Sequence, residues 1–370
     1  MAGLEPIELS TLTDRLRGTL PPASDTGSPH KSLTLRSAME CAETLPKGDW
    51  LLRPYLERNA TAICYGDFGT YKSFLALDWA LRVAIGLPAI GSGYFRESAP
   101  VVFISAEGRG LAKRLRAWCL HTYSERDWQD VLRDVPLHIV EHAVNLSDAD
   151  NARQLVAAAE GLGITPALVV IDTLSRNSNG DVESSTGDAS AYLANLDQHL
   201  RAKFRCAILL VHHVGHVEKG RIRGPIVLAA NTDTLIRVER VAPGETAINV
   251  SVERLKDADL PPPVSLRAVV VNLGELDEDD QAVTSLALED NGAVVPAKRE
   301  PGGKNQAALL AGVREWIRSH DDPTHITSVE LQEVADAQGL KDRRRRGEAI
   351  EGLTRAGFLV PAVGGFRLEL

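Results

Sequence analysis

The chain has 370 residues, 44% of them hydrophobic, and a formal net charge of −9. That length accommodates one large α/β domain plus a small one, and no apolar run reaches the ~18 residues of a membrane-spanning helix. The negative charge leaves any nucleic-acid contact to local basic patches, not a global field.

Residues 1–32 are rich in Pro, Ser, Gly and Thr without periodicity and read as a flexible arm. No apolar core of a secretory signal opens the chain, so the expected compartment is the cytoplasm. The four cysteines, Cys41, Cys64, Cys119 and Cys206, are far apart and include no C-x-x-C pair, which argues against a redox or zinc motif.

Residues 33–290 carry an α/β pattern. After a short helix-like piece, Ser37 to Glu43, and the lead-in Trp50-Leu51-Leu52, the run Ala62 to Tyr65 predicts a buried strand. Gly66-Asp67-Phe68-Gly69-Thr70-Tyr71 follows as a turn, and Lys72-Ser73 opens a helical pattern to Ile85. Strand, Gly-bearing loop, Lys-Ser and helix is the order required to cradle phosphates with backbone N–H groups at a helix N-terminus. Residues Gly66 to Phe74 are thus the expected ATP-binding loop, with Lys72 reaching the β- and γ-phosphates and Ser73 holding Mg²⁺. The match to G-x-x-x-x-G-K-[ST] departs at one position: Tyr71 stands where the second glycine is usual, and Gly69 lies two residues earlier.

Further apolar runs end in polar residues: Val101 to Ser105, followed by Ala106-Glu107; Ala167 to Ile171, followed by Asp172; and Cys206 to Val211, followed by His212-His213. Continuous apolar runs separated by helical segments predict parallel strands buried on both faces. Asp172 is expected to hold Mg²⁺ opposite Ser73 on a strand beside the phosphate loop. Glu107 is the candidate catalytic carboxylate that orients or deprotonates the attacking water. His213 is a candidate sensor of the γ-phosphate. Beyond Gly215 a Gly-rich loop carries Lys219, Arg221 and Arg223; Lys219 and Arg221 are candidates for contact with single-stranded DNA, and Arg221 and Arg223 for cations acting in trans at a neighbouring subunit's nucleotide. Closely spaced β-type runs between Thr234 and Leu288 predict antiparallel strands extending one sheet edge. Arg254 and Lys256 sit there with strand alternation and are further candidates for cations acting in trans.

Residues 291–303 read as a linker and 304–370 as a separate module. Three helical segments and a hairpin around Gly364-Gly365 predict a small winged helix-turn-helix-like domain. Arg343, Arg344, Arg345 and Arg346 open its third helix, where arginines can contact phosphates and guanines.

Taken together, Gly66 to Phe74, Ser105-Ala106-Glu107-Gly108, Leu168 to Arg176, Leu210 to His213, Arg223-Gly224 with Asp233, and Lys256-Asp257 resemble the RepA-type branch of RecA-like hexameric ATPases. These are relatives of the DnaB replicative helicases of phages and plasmids. The resemblance covers about Trp50 to Leu288. It implies a RecA-like P-loop core with a parallel central sheet, assembly into a ring, most simply a hexamer, ATP and Mg²⁺ bound between subunits, and single-stranded DNA in the channel. It also assigns Glu107 the role of catalytic glutamate. In DnaB-like relatives the trans cations read Lys-x-Arg; here the order is Arg254-x-Lys256. Two rival readings remain: a DNA-binding regulatory or recombination-mediating ATPase that does not unwind duplex, and a nucleotide-binding scaffold without turnover, suggested by Tyr71. The C-terminal module could dock DNA or a replication protein.

Overall fold

The computed structural model describes residues 35–43, 49–92, 94, 97–106, 110–124, 126–215, 221–242, 244–256, 258–292, 294, 303–320, 325–356, 358–362 and 364–368. The expected N-terminal arm, most of the 291–303 linker, Glu107 and Lys219 lie outside these residues. Within residues 1–47, helix α1 (Ala38–Glu43) is opened by Ser37, whose Oγ accepts from the Glu40 backbone N–H while the Glu40 carboxylate accepts from the Ser37 N–H.

From residue 48 onward the chain builds around a nine-stranded sheet. Its strands are β3 (Thr61–Gly66), β4 (Val101–Ser105), β5 (Leu137–Val140), β6 (Leu168–Asp172), β7 (Ala207–His213), β8 (Thr234–Arg240), β9 (Ala247–Leu255), β10 (Val264–Leu276) and β11 (Ala282–Gly292). The lead-in residues form a separate antiparallel pair, β1 (Trp50–Leu52) with β2 (Leu56–Glu57). The sheet order is β11-β10-β9-β8-β3-β7-β6-β4-β5. Strands β8 to β5 in that order run parallel, and β9, β10 and β11 extend the β8 edge antiparallel. The parallel core with an antiparallel extension follows the sequence pattern.

One expectation is corrected. The strands that lead to Glu107 and Asp172 do not adjoin the phosphate-loop strand: β7 lies between β3 and β6, and β4 is one place further out. The run Ala207 to Val211 is buried on both faces and fits the centre, which sets β6 one strand spacing, about 4.8 Å, further from β3.

Alternation along β3 divides the core into two layers. Ala62 and Cys64 face one side with Phe103, Val170 and Leu209, under helices α2 (Lys72–Ile85) and α3 (Leu111–Thr122). Ile63 and Tyr65 face the other with Ile104, Ile171 and Leu210, under α5 (Ala149–Gly161) and α6 (Thr186–Leu196). A short helix α4 (Trp128–Arg133) precedes β5. Helices on both faces of a mostly parallel sheet define an α/β architecture. Among the described residues no helix is long and apolar enough to cross a membrane.

The α2–α3 layer is held by one buried carboxylate. Asp78, 1% exposed, accepts from Arg82 Nε at 2.7 and 2.8 Å and from Trp118 Nε1 at 2.8 Å. Asp78→Asn keeps the shape but weakens a charge-assisted pair, and should lower stability by about 1.5–3 kcal/mol in urea denaturation. A loss under about 0.5 kcal/mol, the scale of an ordinary surface change, would mean that the charge contributes little.

The C-terminal residues have their own apolar cluster, including Leu309, Val313, Leu331, Leu353 and Leu359. Helices α8 (Lys304–Arg318), α9 (Ser328–Ala337) and α10 (Arg343–Arg355) enclose it with a three-stranded sheet ordered β12 (His325–Thr327), β14 (Gly365–Leu368), β13 (Leu359–Ala362). Helix α9 starts in a capping box, Thr327 with Glu330, and α10 in a cap by Asp342.

Candidate active site

The chemistry-bearing residues gather at the carboxyl ends of the parallel strands, where ligands of open α/β sheets bind. Gly66 ends β3 in register with His213 of β7 and Val238 of β8. Asp172 ends β6 in register with Val211 of β7 and Ser105 of β4. The loop can leave β3 so closely packed because residue 66 has no side chain: a Cβ there would lie 2.1 Å from the Val238 carbonyl oxygen.

Between Gly66 and α2 the backbone turns through two left-handed residues, Gly69 (φ 74°) and Tyr71 (φ 59°, ψ 22°). This conformation costs a non-glycine residue about 1–2 kcal/mol. The Tyr71 ring recovers part of that cost. The Arg240 guanidinium lies 4.9 Å from its centroid, and Phe74 meets it edge-on at 6.2 Å, contacts worth about 0.5–1.5 kcal/mol each. Phe74 in turn lies under Arg114, 4.7 Å away. Tyr71 therefore points aside from the loop, packed in an aromatic and guanidinium stack, which accounts for its tolerance at a position where glycine is usual.

Lys72 is 5% exposed, and its ammonium donates to the Asp67 carbonyl at 2.6 Å and to Thr70 Oγ1 at 3.3 Å, inside the curve of the loop. Ser73 Oγ donates to Asp172 Oδ1 at 3.1 Å, and Asp172 is 1% exposed. A buried ammonium, a hydroxyl and a carboxylate thus meet at the N-terminus of α2, where the helix dipole favours an anion. Beneath them lies Cys64, whose thiol is pushed up to about 12 by burial; Lys72 opposes that shift and Asp172 adds to it. The thiol stays protonated and takes no part in the chemistry.

The donor set fits Mg²⁺ bound with a nucleotide. Ser73 and Asp172 are hard oxygen donors side by side, and a magnesium–nucleotide site needs only one or two protein oxygens because phosphates and waters complete it. When bound there the ion would neutralise phosphate charge and polarise the phosphoryl group. Among the described residues no three His, Cys, Asp or Glu side chains cluster as a preformed metal cage.

Glu107 itself lies outside the described residues. The backbone leading to it runs alongside β6: the Ala106 N–H donates to the Asp172 carbonyl at 3.0 Å. His213 stands at the end of β7 beside Gly66. Phe68, at the loop apex, is 90% exposed.

Arg223, Arg254 and Lys256, predicted as cations acting in trans, have partners within the chain. Arg223 pairs with Glu183 at 3.0 Å, and its N–H donates to the His213 carbonyl at 2.9 Å. Arg221 accepts on its carbonyl from the Gly215 N–H at 3.0 Å, so both feet of the 215–223 loop are tied to the end of β7. Lys219 lies outside the described residues. Arg254 donates to the Ala229 and Ala230 carbonyls at 2.7 and 2.9 Å, closing helix α7 (Ile226–Ala230), and Lys256 lies 3.8 Å from Asp233. Arg254 and Lys256 line one depression of about 440 Å³ together with Thr61 and Arg201. Thr61 starts β3, so these two cations lie at the end of the sheet opposite their own phosphate loop.

Two residues absent from the sequence reading belong to this region. Arg240, the last residue of β8, donates through Nε and Nη2 to the Gly69 carbonyl at 2.9 and 2.7 Å. Its signal in the sequence was position alone: it ends a strand, but only the sheet order places that strand beside β3. Glu183 accepts from Ser175 Oγ and Arg223, and lies 3.8 Å from buried His212 Nδ1. It sits in a 3-10 turn with no local pattern to mark it.

His212 is fully buried and its Nε2 lies 2.9 Å from the Arg223 carbonyl, so that nitrogen carries the proton. Burial lowers its pKa to about 4 from 6.5, against the opposing pull of the Arg223 carbonyl and Glu183. In the unfolded chain the imidazole takes up a proton near pH 6.5, whereas the native state holds it off until about pH 4. Between those values the unfolded state binds more protons, so stability rises with pH. The His212 contribution should be complete above pH 6.5 and fall away toward pH 4, and denaturation midpoints across that window, compared with those of His212→Gln, provide the check. Equal slopes in the two proteins would remove His212 as the source.

No curated protein sequence matches the chain. Among solved structures it is similar to the crystal structure of the RadB recombinase, with 15% sequence identity and a TM-score of 0.41 over 57% of this chain and 88% of that one. Residues 29–219, just over half of the chain, match the AAA domain. That span contains the whole phosphate loop, Glu107, Asp172 and both histidines of β7, and the chain belongs to the AAA-domain family of P-loop ATPases.

Proposed function

We propose that this protein is an ATP-dependent, ring-forming DNA motor of RecA-like type, a replicative helicase that hydrolyses ATP between subunits while holding single-stranded DNA. The observation that carries the reading is the common origin of site and loop. Gly66 of the phosphate loop and His213, from which the 215–223 loop departs, are register partners on adjacent strands. A change at the γ-phosphate can therefore reach Lys219 and Arg221 through one strand end. Lys72 and Ser73 bind phosphate and metal, Asp172 completes the metal site, Glu107 activates water, and His213 senses the terminal phosphate. The placement of Arg254 and Lys256, remote from their own loop, supports a role at a neighbour's nucleotide; Arg223, paired with Glu183, would act in trans only after leaving that partner.

The test joins ATP turnover with and without single-stranded DNA to a mass measurement under ATP. Stimulation by the strand and a closed oligomer are expected. A protein that hydrolyses ATP but neither binds nor unwinds DNA would refute the helicase reading.

A second reading, a DNA-binding regulatory ATPase, draws on the C-terminal module. Helices α9 and α10 joined by a short turn, with β13 and β14 as a wing, suit a winged helix-turn-helix. Arg344 bonds Glu348 and Arg346 bonds Asp336, while Arg343 and Arg345 are exposed at the start of α10. Arg343→Ala/Arg345→Ala should weaken duplex binding and lower the salt slope by about two, one for each phosphate no longer neutralised. An unchanged slope in a fluorescence titration series would remove these arginines from the interface.

A further inference from the structure

We infer that Arg240 is a positioning residue of the phosphate loop, holding it in its anion-binding shape from the neighbouring strand. The inference rests on the nucleotide-binding reading of the loop. Arg240 fixes three things at once: Nε and Nη2 hold the Gly69 carbonyl at 2.9 and 2.7 Å, Nη1 holds the Glu245 carbonyl at 3.0 Å, and the guanidinium face covers Tyr71. Two donors on one carbonyl fix its direction. A peptide unit is planar, and in the trans form its N–H points opposite to its carbonyl; with the Gly69 oxygen drawn to Arg240, the Thr70 N–H is directed away from it.

The direction matters because of what an anion requires. A phosphate cradle presents N–H groups, and a carbonyl turned into it repels the ligand. Gly69 has the freest backbone in the loop, with φ at 74°, and its carbonyl is the group whose rotation would spoil the cradle. The same guanidinium covers the residue that replaces the usual second glycine, so the tyrosine and the arginine act as a pair. All three guanidinium nitrogens of Arg240 are engaged by the Gly69 and Glu245 backbone carbonyls. It therefore supports ground state and transition state alike, and its loss should appear in binding.

The experiment titrates a fluorescent ADP analogue and measures ATP turnover for the wild type, Arg240→Ala, Arg240→Lys and Tyr71→Leu, with Lys72→Ala as control. For Arg240→Ala a rise of about tenfold in Kd and KM is expected, with kcat within about twofold. Arg240→Lys keeps the charge but lacks the fork, so it should recover only part of the affinity. Tyr71→Leu removes the ring that the guanidinium covers but leaves the Gly69 bonds, so its rise in Kd should be smaller than that of Arg240→Ala; an equal or larger rise would place the effect in the ring contact and overturn the role of the fork. Wild-type affinity in Arg240→Ala overturns the inference while leaving the ATPase reading intact. A tenfold loss confined to kcat also overturns it, because that marks a transition-state contact. Absence of nucleotide binding in the wild type overturns the ATPase reading and this inference with it. If Arg240→Ala does not fold, the folded Arg240→Lys decides: affinity equal to wild type rejects the role of the fork.

Discussion

Replacing Lys72 with alanine should lower kcat for ATP hydrolysis about 100-fold or more, the scale of losing one preorganised charge at a developing anion. The ammonium is buried and held inside the loop by the Asp67 carbonyl and Thr70 Oγ1. In that low-polarity setting a single positive charge on the phosphates is worth far more than in water. The fold should survive the change, because the Asp67 carbonyl keeps a second donor, Thr70 Oγ1 at 2.9 Å. Phosphate release and a thermal melt, measured on the same preparation, separate the two effects. A variant that retains a tenth of wild-type turnover would remove Lys72 from the catalytic role.

Gly66→Ala should act on both fold and site. Its Cβ would fall 2.1 Å from the Val238 backbone oxygen, and that oxygen belongs to a strand, not to a side chain that can swing away. Either β3 and β8 separate or the loop departs from its path. The expected loss is about 3 kcal/mol or more, the upper range for overpacking, together with loss of nucleotide affinity. Gly69→Ala offers the contrast. Among the described residues its Cβ would meet only Arg240 Nη2, at 3.5 Å, so the cost is its φ of 74°, about 1–2 kcal/mol. Urea denaturation of the two variants should order them in this way; equal losses would mean that the close approach at Gly66 is relieved at no cost.

Much of the parallel core was legible because its strands are buried on both faces. The runs ending at Gly66, Ser105, Asp172 and His213 carry an unbroken apolar signal, and each begins or ends within a residue or two of the observed strand. Less visible were β5 and α4, where half-buried Leu137 to Val140 and the short Trp128 to Arg133 give no strong period. The five-residue helix α7 carries its meaning only through Arg254, which closes it from β9. Sheet order was the main thing hidden. Local pattern says that β6 is a parallel strand but not that β7 intervenes before β3, since that choice is made by crossover packing. For the same reason Lys72, Ser73 and Asp172 could be named from spacing, whereas Arg240 and Glu183 could not: their partners are set by tertiary contact.

The strand that bears the phosphate loop has a further consequence for timing. Both of its neighbours come from far downstream; the Thr61 N–H, for example, bonds an Asp233 carboxylate oxygen 172 residues away. Closing so long a loop is slow, and its contacts reward the chain only once the far segment arrives. During synthesis, β3 and α2 are complete long before β7 and β8 leave the ribosome. A nascent chain halted at residue 219, where the family match ends, would lack β8 and with it Arg240. Capacity for nucleotide should thus be acquired late in translation, so the exposed early segment depends on other protection until then.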